Sequence, residues 1–460
     1  MFKEKSFLVI GMGISGQAAV KLLMNKEAKK ISILEGNVNA VEEDIRKKLP
    51  EGFDGKIIIG SLPEEEISEL GIDIAVLSPG VPLDSPDVLK LKDKNVKLWG
   101  ELELGYKTGA GKLFGITGTN GKTTTTSLVG EILKLNAKTV GNDVFVVGNI
   151  GLPYTNYTTE MKEDSITVAE VSSFQLETIE DFKPDVSAVL NITPDHLNRH
   201  HTMENYIDAK MSIAKNQGSD GFIVLNYEDE VLREKAKTLK CNVVWFSSKR
   251  ELKSGFYMRG EDILFKRGEN EAEEKLCTIH DMKLLGAHNY ENVMAAAAIC
   301  LYGGIPLDTI REGIREFNAV EHRIEYVDEV KGVKYYNDSK GTNPDAAIKA
   351  VEAMVRPTVL IGGGYDKASE YDEWILSFKD TVKYLVLIGA TRDKIAECAK
   401  KHGFQNVIMA ESLEEAVKIS ADKAEDGWAV LLSPACASWD MFKSYEERGK
   451  LFKQYVKELA

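Results

Sequence analysis

Glycine-rich turns set beside lysines, hydroxyls and carboxylates recur along this 460-residue chain. Thr117-Gly118-Thr119-Asn120-Gly121-Lys122-Thr123 places two glycines, a lysine and hydroxyls between an apolar run, LFGI, and an amphipathic stretch, SLVGEILKL. At a strand-to-helix junction, such a loop lets backbone N–H groups and the positive helix end cradle phosphates. Lys122 would then reach the terminal phosphates, and the Thr123 hydroxyl would ligate Mg²⁺. The loop departs from the general phosphate-loop pattern, since Ile116 stands where the first glycine should be. Its setting still makes ATP the expected ligand.

A second glycine-rich turn, GMGISG (11–16), follows the apolar run FLVI, and Glu35 ends the next apolar run nineteen residues past Gly16. This is the dinucleotide fingerprint, whose physics is a diphosphate approaching glycine backbone. NAD or a nucleotide diphosphate sugar would satisfy it equally. SITVAE ends at Glu170, a carboxylate suited to Mg²⁺ at a strand end beside a phosphate loop. Taken alone, Glu170 reads as a solvated strand-end acid, His196 as a loop histidine and Lys210 as a helix lysine. Near the C-terminus, NDSKGTNPDA, GGGYDK and SPACASWDMFKSYEERG carry Lys340, Thr342, Lys367 and Ser438. Each reads innocently by itself. Together, two lysines and two hydroxyls at the edge of a parallel sheet could grip a dicarboxylic amino acid.

Short apolar runs alternate with amphipathic stretches through the whole chain, the pattern of parallel sheets covered by helices. Three such units occur in series. An α/β protein of three domains is therefore expected: a Rossmann-like N-terminal domain (1–108), a central P-loop ATPase-type domain (109–319) and a C-terminal Rossmann-like α/β domain (320–460). The segment KLWGELELG (97–105) reads as one short extended element, and the third unit as clean β-α alternation. A net charge of −14 argues against nucleic acid or an anionic membrane as the main partner. Five scattered cysteines without a Cys-x-x-Cys pair suit neither a zinc framework nor a disulfide scaffold. With no signal segment and no membrane-length apolar run, a cytoplasmic monomer acting on small molecules is expected.

The variant phosphate loop resembles that of the Mur ligases and folylpolyglutamate synthetases. EVSSFQLE, NDSKGTN and SPACAS-x-D-x-F resemble segments of the D-glutamate-adding Mur ligases in particular, and the likeness runs through all three units. It implies an ATP-dependent ligase that activates the carboxylate of UDP-N-acetylmuramoyl-L-alanine as an acyl phosphate and joins it to D-glutamate. It implies two Mg²⁺ ions, with Glu170 and His196 as ligands and Lys210 carbamylated by CO₂; the carbamate would turn a cation into an oxygen donor. By position, Gly118, Thr119, Asn120, Gly121, Lys122, Thr123 and Thr124 would hold the phosphates. Asn289, Asn292, His322, Arg323 and Asp338 would hold the rest of ATP. Ile14, Ser15, Glu35, Gly36, Ser78, Pro79 and Gly80 would line the UDP pocket, and Asn149 would hold the substrate near the second metal. Lys340, Thr342, Lys367, Ser438, Trp439 and Tyr445 would bind D-glutamate. Trp439 and Tyr445 stand where Leu and Phe are familiar, and Glu35 where Asp is, so the fine shape of these pockets is the chain's own. The same chemistry on L-glutamate, or a nucleotide-sensing protein without catalysis, are the competing readings.

Overall fold

A computed structural model of the chain describes residues 2–284, 286–318, 321–367 and 369–459. The expected boundary between residues 319 and 320 lies outside them. The chain is a three-domain α/β protein built on three sheets. These fall into two compact units, Met1–Thr278 with Glu291–Ile314, and Ile279–Tyr290 with Arg315–Ala460. Two sheets belong to the first unit and one to the second. No helix among the described residues is long and apolar enough to cross a membrane.

In the first sheet, β1 (Ser6–Ile10), β2 (Lys30–Glu35), β3 (Ile57–Ile59), β4 (Ile74–Leu77) and β5 (Lys97–Gly100) lie in the order β3-β2-β1-β4-β5. All pairs are parallel. The apolar run SFLVI is buried along its whole length, as a parallel strand covered on both faces must be. The strand order reverses between β1 and β4, so a crevice opens past their carboxyl ends.

KLWGELELG departs from expectation. Only Lys97–Gly100 is strand, and Glu101–Thr108 is helix. Glu101 and Glu103 point inward. The Glu103 carboxylate accepts the backbone N–H groups of Glu180, Asp181 and Phe182 at 2.9–3.0 Å. Glu101 Oε1 accepts from the Thr155 N–H and hydroxyl. Glu103→Ala would strand three donors in a dry site. It is expected to cost about 3 kcal/mol or more, read as a lower urea midpoint in tryptophan fluorescence, because Trp99 also bonds Glu180.

The second sheet adds β6 (Lys112–Thr117), β7 (Val144–Gly148), β8 (Ile166–Glu170), β9 (Val186–Val189), β10 (Phe222–Asn226), β11 (Asn242–Ser247), β12 (Gly255–Arg259), β13 (Asp262–Lys266) and β14 (Glu274–Thr278). Their order is β14-β13-β12-β11-β10-β9-β6-β8-β7. The strand before the phosphate loop, β6, lies between β8 and β9 and is parallel to both. β12 and β13 pair antiparallel as a hairpin.

The third sheet comprises β15 (Glu325–Val330), β16 (Val333–Asn337), β17 (Thr358–Gly363), β18 (Val382–Ile388), β19 (Val407–Met409) and β20 (Ala429–Leu432), in the order β15-β16-β20-β17-β18-β19. It is not clean β-α alternation. β15 and β16 form an antiparallel hairpin at one edge, and the remaining pairs are parallel.

Candidate active site

In the crevice of the first sheet, Gly11 adopts φ 82° and ends β1 in a tight turn. A side chain on Gly16 would overlap the Gly11 carbonyl oxygen, so the turn demands glycine there for close approach. Glu35 accepts from the N–H groups of Met12 (2.9 Å) and Asn37 (3.0 Å), locking the loops after β1 and β2 together. Ser78, just past β4, donates its hydroxyl to the Gly11 carbonyl at 2.8 Å. Ser15, Pro79 and Gly80 are at least partly accessible here, Gly36 is exposed, and Ile14 is left largely bare. A small recess is lined by Ser78, Pro79, Val81, Glu101, Gln175 and Arg199. Arg199 donates to the Val81 carbonyl and to Glu177, both at 2.7–2.8 Å.

In the second sheet, three neighbouring strand ends meet. After β6, Gly118 and Gly121 take positive φ, and the helix Lys122–Val140 begins. A Cβ on Gly121 would collide with Asn292 Oδ1, to which Thr125 donates at 3.4 Å. After β9, Asn191 braces the loop: its Oδ1 accepts from the Asn120 N–H at 2.8 Å and its amide donates to the Asn120 carbonyl at 3.1 Å. Thr119 pairs its hydroxyl with the Tyr206 hydroxyl at 3.0 Å. Lys122 Nζ donates to the Gly118 and Thr119 carbonyls at 2.8 and 2.9 Å. Thr123 and Thr124 follow in the first helical turn, with Thr124 buried.

Glu170 ends β8 and is 1% exposed. Its Oε1 accepts from the Asn149 amide at 2.8 Å, while Oε2 is buried with no hydrogen-bond partner among the described residues. A buried anionic oxygen without a donor is costly, and a hard divalent cation is the partner that suits it. His196 stands at φ 52° before the short helix Leu197–His200. Its ring is half exposed and lies edge-on to Phe174 at 4.9 Å.

Lys210 is 2% exposed. Its Nζ donates to the Gly118 carbonyl at 2.9 Å and lies 4.7 Å from the Tyr206 ring centroid. Burial, then the neighbouring Lys122 charge, bring its pKa down to about 7. A lysine in this setting holds a substantial neutral fraction at physiological pH, the form that reacts with CO₂.

In the second unit, β16, β20 and β17 are adjacent and parallel, and the motifs expected at their ends all follow them. Asp338 accepts from the Ser433 hydroxyl at 2.7 Å, and burial raises its pKa to about 7. Lys340 donates its backbone N–H to the His322 carbonyl at 3.0 Å, and its ammonium lies 5.6 Å from the Tyr445 ring. His322 is buried at φ 67°, with Nδ1 2.9 Å from the Asn337 amide. Arg323 follows it, with a buried Nε that finds no partner among the described residues. Thr342 turns back on Lys340, its N–H reaching the Lys340 carbonyl at 2.8 Å. Lys367 sits 4.9 Å from the Trp439 ring, beside buried Ser438; Trp439 itself is 63% exposed. Asn289 lies on the helix Ala287–Tyr302 and is buried.

Several residues that organise these sites escape sequence reasoning. Asn191 and Tyr206 brace the phosphate loop, and fully buried Arg448 donates to the Ser339 and Cys436 carbonyls. Tyr206 had one available signal, its position four residues before Lys210 on the same helical face. Arg448, in a charged stretch, had none.

The models of three domains match the chain. They are the Mur ligase MurD-like N-terminal domain over residues 5–100, the Mur ligase middle domain over 116–300, and the Mur ligase glutamate ligase domain over 322–436. A protein of Lachnoclostridium phytofermentans named UDP-N-acetylmuramoylalanine–D-glutamate ligase is 54% identical, covering 100% of this chain and 99% of its own. One of Clostridioides difficile with the same name is 45% identical, covering 99% of each. Among solved structures, the UDP-N-acetylmuramate-alanine ligase MurC of Thermotoga maritima superposes with a TM-score of 0.58 at 18% identity, covering 99% of this chain and 100% of that one. The MurF ligase of Thermotoga maritima in complex with ADP gives 0.56 at 17%, covering 89% and 97%. At these identities the structures bear on the fold alone.

Proposed function

The chain belongs to the Mur ligase family of ATP-dependent, amide-forming enzymes, and on that premise we propose that it joins D-glutamate to UDP-N-acetylmuramoyl-L-alanine in peptidoglycan precursor synthesis, as a cytoplasmic monomer. The observation that carries the chemistry is the meeting of three things at adjacent strand ends: a glycine-shaped phosphate loop, a buried carboxylate oxygen lacking a donor, and a buried lysine amine.

The alanyl carboxylate attacks the γ-phosphorus of ATP; a C–O–P mixed anhydride forms, the bond to the β-phosphate oxygen breaks, and ADP leaves. The amine of D-glutamate then attacks the acyl carbon, a C–N bond forms, phosphate leaves, and the amine gives up its proton. Lys122 turns from its own loop carbonyls to the β- and γ-phosphates, and backbone N–H groups of residues 118–123 hold the phosphate oxygens. Thr123, Glu170, His196 and carbamylated Lys210 would hold two Mg²⁺ ions, which would supply neutralisation of the phosphoryl and carboxylate charge. Asn149 orients Glu170 and the incoming substrate. Thr124, Asn289, Asn292, His322, Arg323 and Asp338 serve the nucleotide. Ile14, Ser15, Glu35, Gly36, Ser78, Pro79 and Gly80 take the UDP moiety. Lys340 and Lys367 meet the two carboxylates of D-glutamate, with Thr342, Ser438, Trp439 and Tyr445 around them. Rate comes from positioning and electrostatics, with no protein nucleophile. The domains that bring these groups are those expected over 1–108, 109–319 and 320–460.

The test is phosphate release with ATP, Mg²⁺ and UDP-N-acetylmuramoyl-L-alanine, adding amino acids singly and identifying products by mass. Turnover with D-glutamate is expected. Turnover with L-glutamate instead would overturn the specificity, and ATP binding without turnover on any amino acid would overturn the catalytic reading.

A further inference from the structure

In the second unit, away from the strand ends described above, a carboxylate, a thiol and an imidazole converge. Asp372 opens the helix Asp372–Leu376. Cys398 lies in the last turn of the helix Arg392–Lys401, and His402 caps it. Four residues apart, Cys398 and His402 share one helical face. One donor atom from each of the three residues lies within 4.8 Å of the other two, and all three residues are partly buried. His402 Nε2 is 2.7 Å from Asp372 Oδ1.

We propose that Asp372, Cys398 and His402 form a zinc site that ties these two helices together. A tetrahedral zinc ion with bonds of about 2.0–2.3 Å sets its ligand atoms roughly 3.3–3.8 Å apart, so small side-chain rotations close the observed triangle onto an ion. Sulfur, nitrogen and carboxylate oxygen are the zinc donor set, whereas Mg²⁺ takes oxygen alone. Water completes the fourth position on the accessible side. Lys401 is the one competing cation on the Asp372 carboxylate among the described residues, at 2.6 Å. Its side chain is 67% exposed and swings into solvent as the metal arrives. Binding ionises the thiol, and its proton goes to bulk water; no oxidant or reductant is involved. The site stands independently of the ligase reading, because none of its three residues has a role there.

The experiment is a cobalt(II) titration of the metal-free full-length chain in excess MgCl₂, followed by absorption. The expected result is one ion per chain, with a near-ultraviolet thiolate-to-cobalt charge-transfer band that Zn²⁺ abolishes by displacement. Cys398→Ser removes that band, while Cys241→Ser keeps it. Asp372→Asn and His402→Ala weaken binding about tenfold or more. Zn²⁺ raises the Tm of the parent chain and not of Cys398→Ser. Ligase turnover in Mg²⁺ reports that each variant is folded. Absence of a charge-transfer band in the parent chain, or a band that survives Cys398→Ser, overturns the site.

Discussion

Replacing Lys210 by arginine is expected to lower kcat on the order of 10³-fold, although arginine keeps the positive charge. The buried amine beside the Gly118 carbonyl has two possible services, as a cation for phosphate or as the precursor of a carbamate. Arginine separates them. Its guanidinium stays protonated and cannot take up CO₂, so a purely cationic role would survive the exchange in large part. Lys210→Ala is expected to fail equally. The pH dependence has a definite sign. Burial and Lys122 lower the amine pKa to about 7, so the neutral fraction is about one half at pH 7 and about one tenth at pH 6. At limiting CO₂, activity falls as pH drops through 7, and added bicarbonate restores part of it. Labelled bicarbonate is expected to give a carbamate carbon resonance in the parent chain and none in Lys210→Arg. An arginine variant with near-parental turnover would sink the carbamate.

What the sequence displayed and what it hid differ by the range of the interaction. FLVI-GMGISG and LFGI-TGTNGKT announce strand, turn and helix because an apolar run and a glycine constraint act over a few residues. Those elements appear where expected; Glu170 ends β8, His196 follows β9, and the helix Met203–Met211 carries Lys210 to the Gly118 carbonyl. KLWGELELG misled because Glu101, Leu102, Glu103 and Leu104 alternate with period two, which imitates a half-exposed strand. In the fold both acids are buried acceptors for backbone N–H groups some fifty and eighty residues away, and no local pattern encodes such partners. The β15 edge strand was hidden for a related reason. Its residues EYVDEV are mostly accessible, so they lack the apolar run that marks a covered strand. Resemblance carried the ligand assignments. Composition and spacing alone left Glu170, His196 and Lys210 indistinguishable from a surface acid, a loop histidine and a helix lysine.

Glu170→Gln is expected to separate stability from activity. The parent carboxylate is 1% exposed and has one oxygen bonded to Asn149 and the other without a donor. Without metal, that oxygen carries a desolvation cost which the fold does not offset. Glutamine keeps the shape, keeps an acceptor for Asn149 and removes the charge. Its Tm in EDTA is therefore expected to equal or exceed that of the parent chain. Turnover moves the other way. A neutral amide oxygen is a far weaker ligand for Mg²⁺ than a carboxylate, so kcat is expected to fall about 10²–10³-fold, with the Mg²⁺ requirement shifted upward. The two readouts together discriminate. A purely structural Glu170 would lose stability along with activity, and the stabilisation of the parent chain by Mg²⁺ and ATP would persist in the variant. A metal-holding Glu170 loses that ligand-induced rise in Tm while the metal-free protein is no less stable. Retention of both turnover and Mg²⁺ dependence in Glu170→Gln would remove this residue from the metal site and leave its orphaned oxygen without a function.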